Sequence, residues 1–209
     1  MPTLEDALTA TLTAEAVEAS FVQAVAGIQM TENAYVSPRD NVSHSTIEFV
    51  MPETDAPADV SRAETIAHAG ALHTRAAGGE WIALDLPRPA LGPLAFLAIL
   101  YGADLGQPIA GDGAVIDVEL SASLATERVP DELRSTLDDL LSATDPAGDG
   151  RFPEHSTARL RIDDAPLHIA EATIITTLSG GSAATFALEL HPTPARTIDI
   201  PDSNESEVA

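Results

Sequence analysis

The sequence predicts an α+β domain built on an antiparallel sheet, and three observations carry the prediction. Period-two apolarity fills the second half of the chain. Leu160 and Ile162 alternate with Arg159, Arg161 and Asp163, while Ala170, Ala172, Ile174, Thr176 and Leu178 share one face. Phe186, Leu188 and Leu190 then alternate with Ala187, Glu189 and His191. Glycine pairs at Gly78-Gly79 and Gly180-Gly181 punctuate such runs, and helical spacing is confined to a few stretches. Alternation bounded by turn residues marks antiparallel strands with one buried face.

The elements follow in order. Thr3 is placed to cap a first helix, with Glu5 and Asp6 in its first turn, where carboxylates suit the helix dipole. Leu4, Leu8 and Leu12 share a face at spacing four. The pattern weakens near Ala16. Ala19–Met30 admits either more helix or a first strand, and a strand from about Phe21 is the reading adopted. Ser37–Asn41 is a turn signal, and Ile47, Phe49 and Met51 alternate in a strand. A loop at Pro52–Pro57 leads to two strands, about Arg62–Ala67 and Ala71–Arg75. Gly78-Gly79 then turns the chain into Trp81–Leu86, where Ile82, Leu84 and Leu86 share a face. Pro87–Pro89 ends the sheet locally, and Leu91–Ala103 reads as a helix apolar on every side. After a glycine-containing loop at Asp104–Asp112, Ile116, Val118 and Leu120 alternate in a strand over Val115–Ser121.

Pro130 suits a first helical position. Leu133, Leu137, Leu140 and Leu141 line one side of the helix it opens, Pro130–Ser142. An acidic loop at Asp145–Gly150 precedes the strands described first, with Ser179–Ser182 as a hairpin tip. Ile198–Pro201 reads as a last edge strand and Asp202–Ala209 as a disordered acidic tail. The expectation is therefore one domain over residues 1–201 and a tail over 202–209, with three helices and about nine or ten strands. No internal repeat or linker is visible.

Composition excludes several function classes. The formal charge is −23, from 33 acidic and 10 basic residues among 209. Such a surface repels phosphates, so nucleic acid is not an expected partner, and direct adhesion to anionic headgroups is disfavoured. The absence of cysteine excludes disulfides, thiol catalysis and thiolate metal sites. Met1–Asp6 has neither a basic start nor an apolar run, unlike a signal peptide. The chain is expected to be either cytosolic or an exported form without its leader. Leu91–Tyr101 falls short of the roughly 20 apolar residues of a membrane span.

Chemical machinery is sparse. No two histidines have the His-x-His or His-x3-His spacing that aims two imidazoles at one metal, and His68 and His73 lie across a predicted turn at Gly70. There is no Gly-x-Ser-x-Gly elbow and no phosphate-binding glycine pattern. Carboxylate pairs such as Asp117 with Glu119, Asp138-Asp139 and Asp163-Asp164 are expected by chance in so acidic a chain. The expectation is no enzyme and no cofactor. A helix apolar all round demands burial on all sides. Leu91–Tyr101 therefore plugs the core or lines a cavity beside Leu133, Leu137, Leu140 and Leu141.

Taken in order, Gly78-Gly79-Glu80-Trp81-Ile82-Ala83-Leu84-Asp85, the apolar Leu91–Ala103 stretch ending in Gly102-Ala103-Asp104, and the helix Val129–Leu141 form a pattern. Ala158–Asp164, Ile174–Gly181, Thr185–Leu190 and the closing Ile198-Asp199-Ile200-Pro201 extend it. Over roughly residues 60–201 the chain resembles the actinobacterial envelope lipoproteins of the LppX/LprG type, related in fold to the LolA and LolB lipoprotein carriers. The resemblance rests on order and polarity, with no catalytic signature. It implies a strongly curved antiparallel sheet, an incomplete barrel, with helices on its concave face and an apolar cavity for acyl chains between them.

It further implies an extracytoplasmic protein of the cell envelope, with acylated lipid or glycolipid as ligand and membrane association only through a removed or absent N-terminal anchor. Two features depart from the family. The chain lacks the anchoring cysteine, and Asp164-Ala165-Pro166 stands where the family often turns at glycine. On this basis the expected cavity walls are Leu94, Phe96, Leu97, Ile99 and Leu100, with Leu133, Leu137 and Leu140, and from the sheet Ile174, Phe186 and Leu188. The alternative is a structural or protein-interaction domain of the same fold, with a closed core and an acidic binding face.

Overall fold

A computed structural model describes residues 1–25, 27–51, 59–86, 88–142 and 151–201. The loops expected at Pro52–Pro57 and Asp145–Gly150 and the tail expected at Asp202–Ala209 lie outside the described residues.

The first helix, α1, is Leu4–Leu12. Thr3 caps it reciprocally: its Oγ1 accepts from the Asp6 N–H at 3.3 Å, and the Asp6 carboxylate accepts from the Thr3 N–H at 2.8 Å. These bonds hold the Asp6 carboxyl below its ordinary range, the Thr3 backbone bond contributing most. Leu4, Ala7, Leu8 and Thr11 form the buried face.

The strands follow as two meanders. The first comprises β1 (Val17–Val25), β2 (Ile28–Ser37), β3 (Val42–Met51), β4 (Asp59–His68), β5 (Ala71–Ala76) and β6 (Ile82–Asp85). The second comprises β7 (Ala114–Ser121), β8 (His155–Asp164), β9 (Leu167–Thr177) and β10 (Ala183–Pro192). Pairing of β1 with β10, from Val17↔Pro192 to Val25↔Ala184, joins them into one antiparallel sheet of ten strands, ordered β6-β5-β4-β3-β2-β1-β10-β9-β8-β7. The terminal strands β6 and β7 do not pair with each other, so the sheet is not a closed barrel.

Helical segments fill the gaps between meanders. A 3₁₀ segment, Gly92–Gly102, lies between β6 and β7, and α2 (Ala122–Arg128) and α3 (Asp131–Ser142) lie between β7 and β8. The 3₁₀ segment packs against α1, α2, α3 and strands β1, β2, β3 and β7. With three residues per turn, its side chains stand in columns. Leu94, Leu97 and Leu100 form one and Phe96, Ile99 and Gly102 another, all buried. In the third, Ala98 is buried and Ala95 and Tyr101 are partly buried. Enclosure by helices and sheet together explains why this stretch is apolar on every side.

Several expectations need correction. The strand adopted from about Phe21 is present but starts earlier and is half of a pair: residues 17–37 are a hairpin of two strands, turning at Gly27 with φ +86, with β1 beginning at Val17. Gln23 and Glu32, polar residues at inner-face positions, break the apolar alternation that would have announced these strands. The helix expected over Leu91–Ala103 is instead 3₁₀ in its hydrogen bonding, over Gly92–Gly102, with Pro93 near its start. The short helix α2 was not expected; Ser121 caps it, its Oγ accepting from the Leu124 N–H at 3.2 Å. Ile198–Pro201 forms no strand. The chain after β10 is held instead to Tyr35, whose hydroxyl accepts from the Arg196 N–H at 2.7 Å while the Arg196 guanidinium lies 4.4 Å from the ring centroid.

A bulge in β9 adds a detail that alternation does not carry. Ile162 pairs with Ile169 and Arg161 with Glu171, leaving Ala170 unpaired. Ile169 and Ala170, neighbours in sequence, are consequently both buried. The Ile169 N–H donates to Thr11 Oγ1 at 2.9 Å, and that hydroxyl donates to the Ala7 carbonyl at 2.8 Å. A buried threonine therefore pins α1 to the bulged strand.

Candidate functional site

Cross-strand partners point to the same side of a sheet, so the register defines one inner face. Across β1–β4, Phe21, Glu32, Ile47 and Ala63 form one row. Ala19, Ala34, Ser45 and Thr65 form the next, and Val17, Val36, Ser43 and Ala67 a third, which continues to Leu72 and Leu84. Where this face meets the 3₁₀ segment and α3 there is a cavity of about 420 Å³. Small-molecule sites span about 300–1,000 Å³ and are mainly apolar.

One wall is aromatic. Phe21 of β1, Phe96 of the 3₁₀ segment, Phe186 of β10 and Phe152 ahead of β8 all line the cavity. Their ring centroids are 5.2 Å apart for Phe21–Phe96, 5.0 Å for Phe96–Phe186 and 5.9 Å for Phe152–Phe186. Tilted contacts at these separations are favourable for aromatic rings. Ala95, Leu91 and Leu140 continue the apolar lining.

The lining is polar elsewhere. Gln23, Glu32, Ser43, Ser45 and Thr65 come from β1–β4, and Thr136 from α3. Burial pushes the Glu32 carboxyl above its ordinary value, with the Ser45 hydroxyl pulling the other way. Towards solvent, Arg88 pairs with Asp139 of α3, and both line the cavity.

The inner face does not end at the cavity. Phe49 and Met51 of β3 and Ile82 and Leu84 of β6 lie on it, and these four are 37%, 56%, 60% and 50% exposed. All five phenylalanines of the chain therefore stand on the cavity side of the sheet.

Of the residues expected as walls, Phe96, Leu140 and Phe186 line the cavity. Leu94, Leu97, Ile99 and Leu100 of the 3₁₀ segment, Leu133 and Leu137 of α3, and Ile174 and Leu188 of the sheet belong to the solid core and are absent from the lining. Spacing on a helix finds the buried side chains; it does not separate those facing a void from those facing other atoms. Sequence reasoning missed Glu32, Ser43 and Ser45. The available signal was a polar residue at an inner-face position of a strand, visible once the β1–β2 hairpin is recognised.

The described lining residues include no histidine, so a Ser-His-Asp arrangement has no base there. Among the described residues no group of three or more His, Asp or Glu side chains is placed to hold a metal ion, and no helix is long and apolar enough to cross a membrane. The fold and site together define an open antiparallel sheet protein with a partly polar, mainly apolar cavity. No family model matches the chain, and no curated protein matches it.

Proposed function

We propose that the chain is a non-catalytic lipid or glycolipid carrier of the cell envelope, holding acyl chains in the cavity between sheet and helical segments. The observation that carries this reading is continuity: an apolar cavity of about 420 Å³ runs into exposed Phe49, Met51, Ile82 and Leu84 on the same sheet face. An acyl chain longer than the cavity finds apolar surface along that path. Burial is worth about 0.8 kcal/mol per methylene, so the chain needs no charged contact to be retained.

The resemblance to LppX/LprG-type lipoproteins supports the same reading, with its strongly curved sheet and helices on the concave side. The 3₁₀ segment has eleven residues, a length of about 22 Å at roughly 2.0 Å per residue. It packs against both β3 and β7, six strand steps apart in the sheet order, which in a flat sheet is about 29 Å at roughly 4.8 Å per step. Bending the sheet around the segment brings both within reach. The alternative reading, an interaction domain using an acidic face, requires a closed core, and the cavity weighs against that.

The test is direct. Organic extraction of the purified protein followed by mass spectrometry recovers lipid, and a neutral fluorescent acyl ester is taken up. Ala95→Trp and Leu140→Trp, which fill the cavity from two sides, each weaken ester binding by about tenfold or more, roughly 1.4 kcal/mol. Ile175→Ser, on the opposite face and 63% exposed, leaves it unchanged. A clean extract with no ester uptake sinks the carrier reading.

A further inference from the structure

An acyl chain makes no use of the polar groups in this cavity. Ser43, Ser45 and Thr136 line it although they are only 4%, 2% and 5% exposed. The Thr136 Oγ1 has no hydrogen-bond partner among the described residues. A buried hydroxyl without a partner is costly, and a ligand group that completes it is correspondingly favoured. Glu32 enters the same space from β2. The one cationic side chain among the described lining residues, Arg88, is already engaged by Asp139. Among the described lining residues Glu32 is thus an acid with no cationic partner, inside a chain of net charge −23.

We infer that the amphiphile's head group is seated inside the cavity and is a hydrogen-bond donor, an amine or a hydroxyl, held between Glu32 and Thr136. The inference rests on the carrier reading of the same cavity. A carboxylate or phosphate head meets Glu32 as a like charge in poorly hydrated surroundings, where repulsion is strong. An ammonium supplies the missing counter-charge, and a hydroxyl donates to Glu32 while Thr136 bonds its oxygen. Gln23, Ser45 and Thr65, from neighbouring strands, can take up further hydroxyls.

Dodecylamine, dodecanol and dodecanoate, matched in chain length, serve as competitors against the neutral fluorescent acyl ester at neutral pH. The amine and the alcohol are each expected to displace it at about tenfold lower concentration than the carboxylate. Glu32→Gln lowers the amine-to-carboxylate ratio by about tenfold. Thr136→Val lowers the alcohol-to-carboxylate ratio several-fold. Ratios taken within one variant are insensitive to a general weakening of the cavity, and circular dichroism checks the fold. Equal displacement by all three in the wild type, or an unchanged amine-to-carboxylate ratio in Glu32→Gln, overturns the inference while ester binding persists. Absence of binding by the ester and by all three competitors overturns the carrier reading as well.

Discussion

The two halves of the sheet present the same kind of inner face to different surroundings. On β1, β10, β9 and β8, inward side chains such as Phe21, Leu188, Ile174 and Leu160 are covered by α1, the 3₁₀ segment and their neighbours, and are at most 6% exposed. On β3 and β6 the inward Phe49, Met51, Ile82 and Leu84 are between 37% and 60% exposed. The cavity lies at the junction, where cover gives way to open surface. The difference teaches that alternation reports which face of a strand is apolar, not what covers it. An uncovered apolar face beside a void is the usual mark of a binding surface.

The strongest way to break this comparison is to cut into each half. Leu97→Ala, in the covered half and 1% exposed, is expected to destabilise by about 3 kcal/mol through lost burial and a residual void. Leu84→Ala, in the open half, should cost about 0.5 kcal/mol or less. Urea midpoints measure both, and similar costs would refute the asymmetry. Gly102→Ala tests the packing of the 3₁₀ segment, because a Cβ there would sit 2.2 Å from the Ser121 carbonyl oxygen. Backbone cannot yield cheaply, so a loss of about 3 kcal/mol is expected.

Glu32 sharpens the comparison at the junction. Burial raises its carboxyl, so the folded chain keeps a proton that the unfolded chain releases at lower pH. The associated stability is complete below the ordinary carboxylate range and is lost as pH rises through the raised value. Glu32→Gln removes that loss and should stabilise the apo protein at neutral pH, on the order of 1 kcal/mol. Urea midpoints that rise for the variant at neutral pH but not in acid would bear this out; equal midpoints throughout would refute it. A small effect is also expected at Arg88→Ala, which breaks a pair with Asp139 that solvent reaches, with the two side chains 36% and 66% exposed. Such pairs contribute about 0–1 kcal/mol, so thermal unfolding should shift little.

Much of the second meander was legible in the sequence. Leu160 and Ile162, Ala172 and Ile174, and Phe186 and Leu188 are buried as alternation requires. The capped helix over Leu4–Leu12 was legible for the same local reason, since Thr3 and Asp6 lie in one turn. The β1–β2 hairpin was obscured by the inward-facing polar Gln23 and Glu32, and α2 by its short length. The cavity was legible only in its ingredients: the apolar stretch and α3 were expected to meet, and they do. Which of their leucines face a void depends on the gap between them and β1–β4, and that gap is set by contacts far apart in the chain.

Period, turn residues and caps are short-range properties, written within a few neighbouring positions, so the amino-acid order alone determined an antiparallel sheet with an apolar side and an acidic exterior. Tertiary structure decided the pairing of Val17–Val25 with Ala183–Pro192, the enclosure of the 3₁₀ segment and the placing of Glu32 and Thr136 in one cavity. Those outcomes depend on how distant surfaces fill space together, and no local pattern encodes the volume left over.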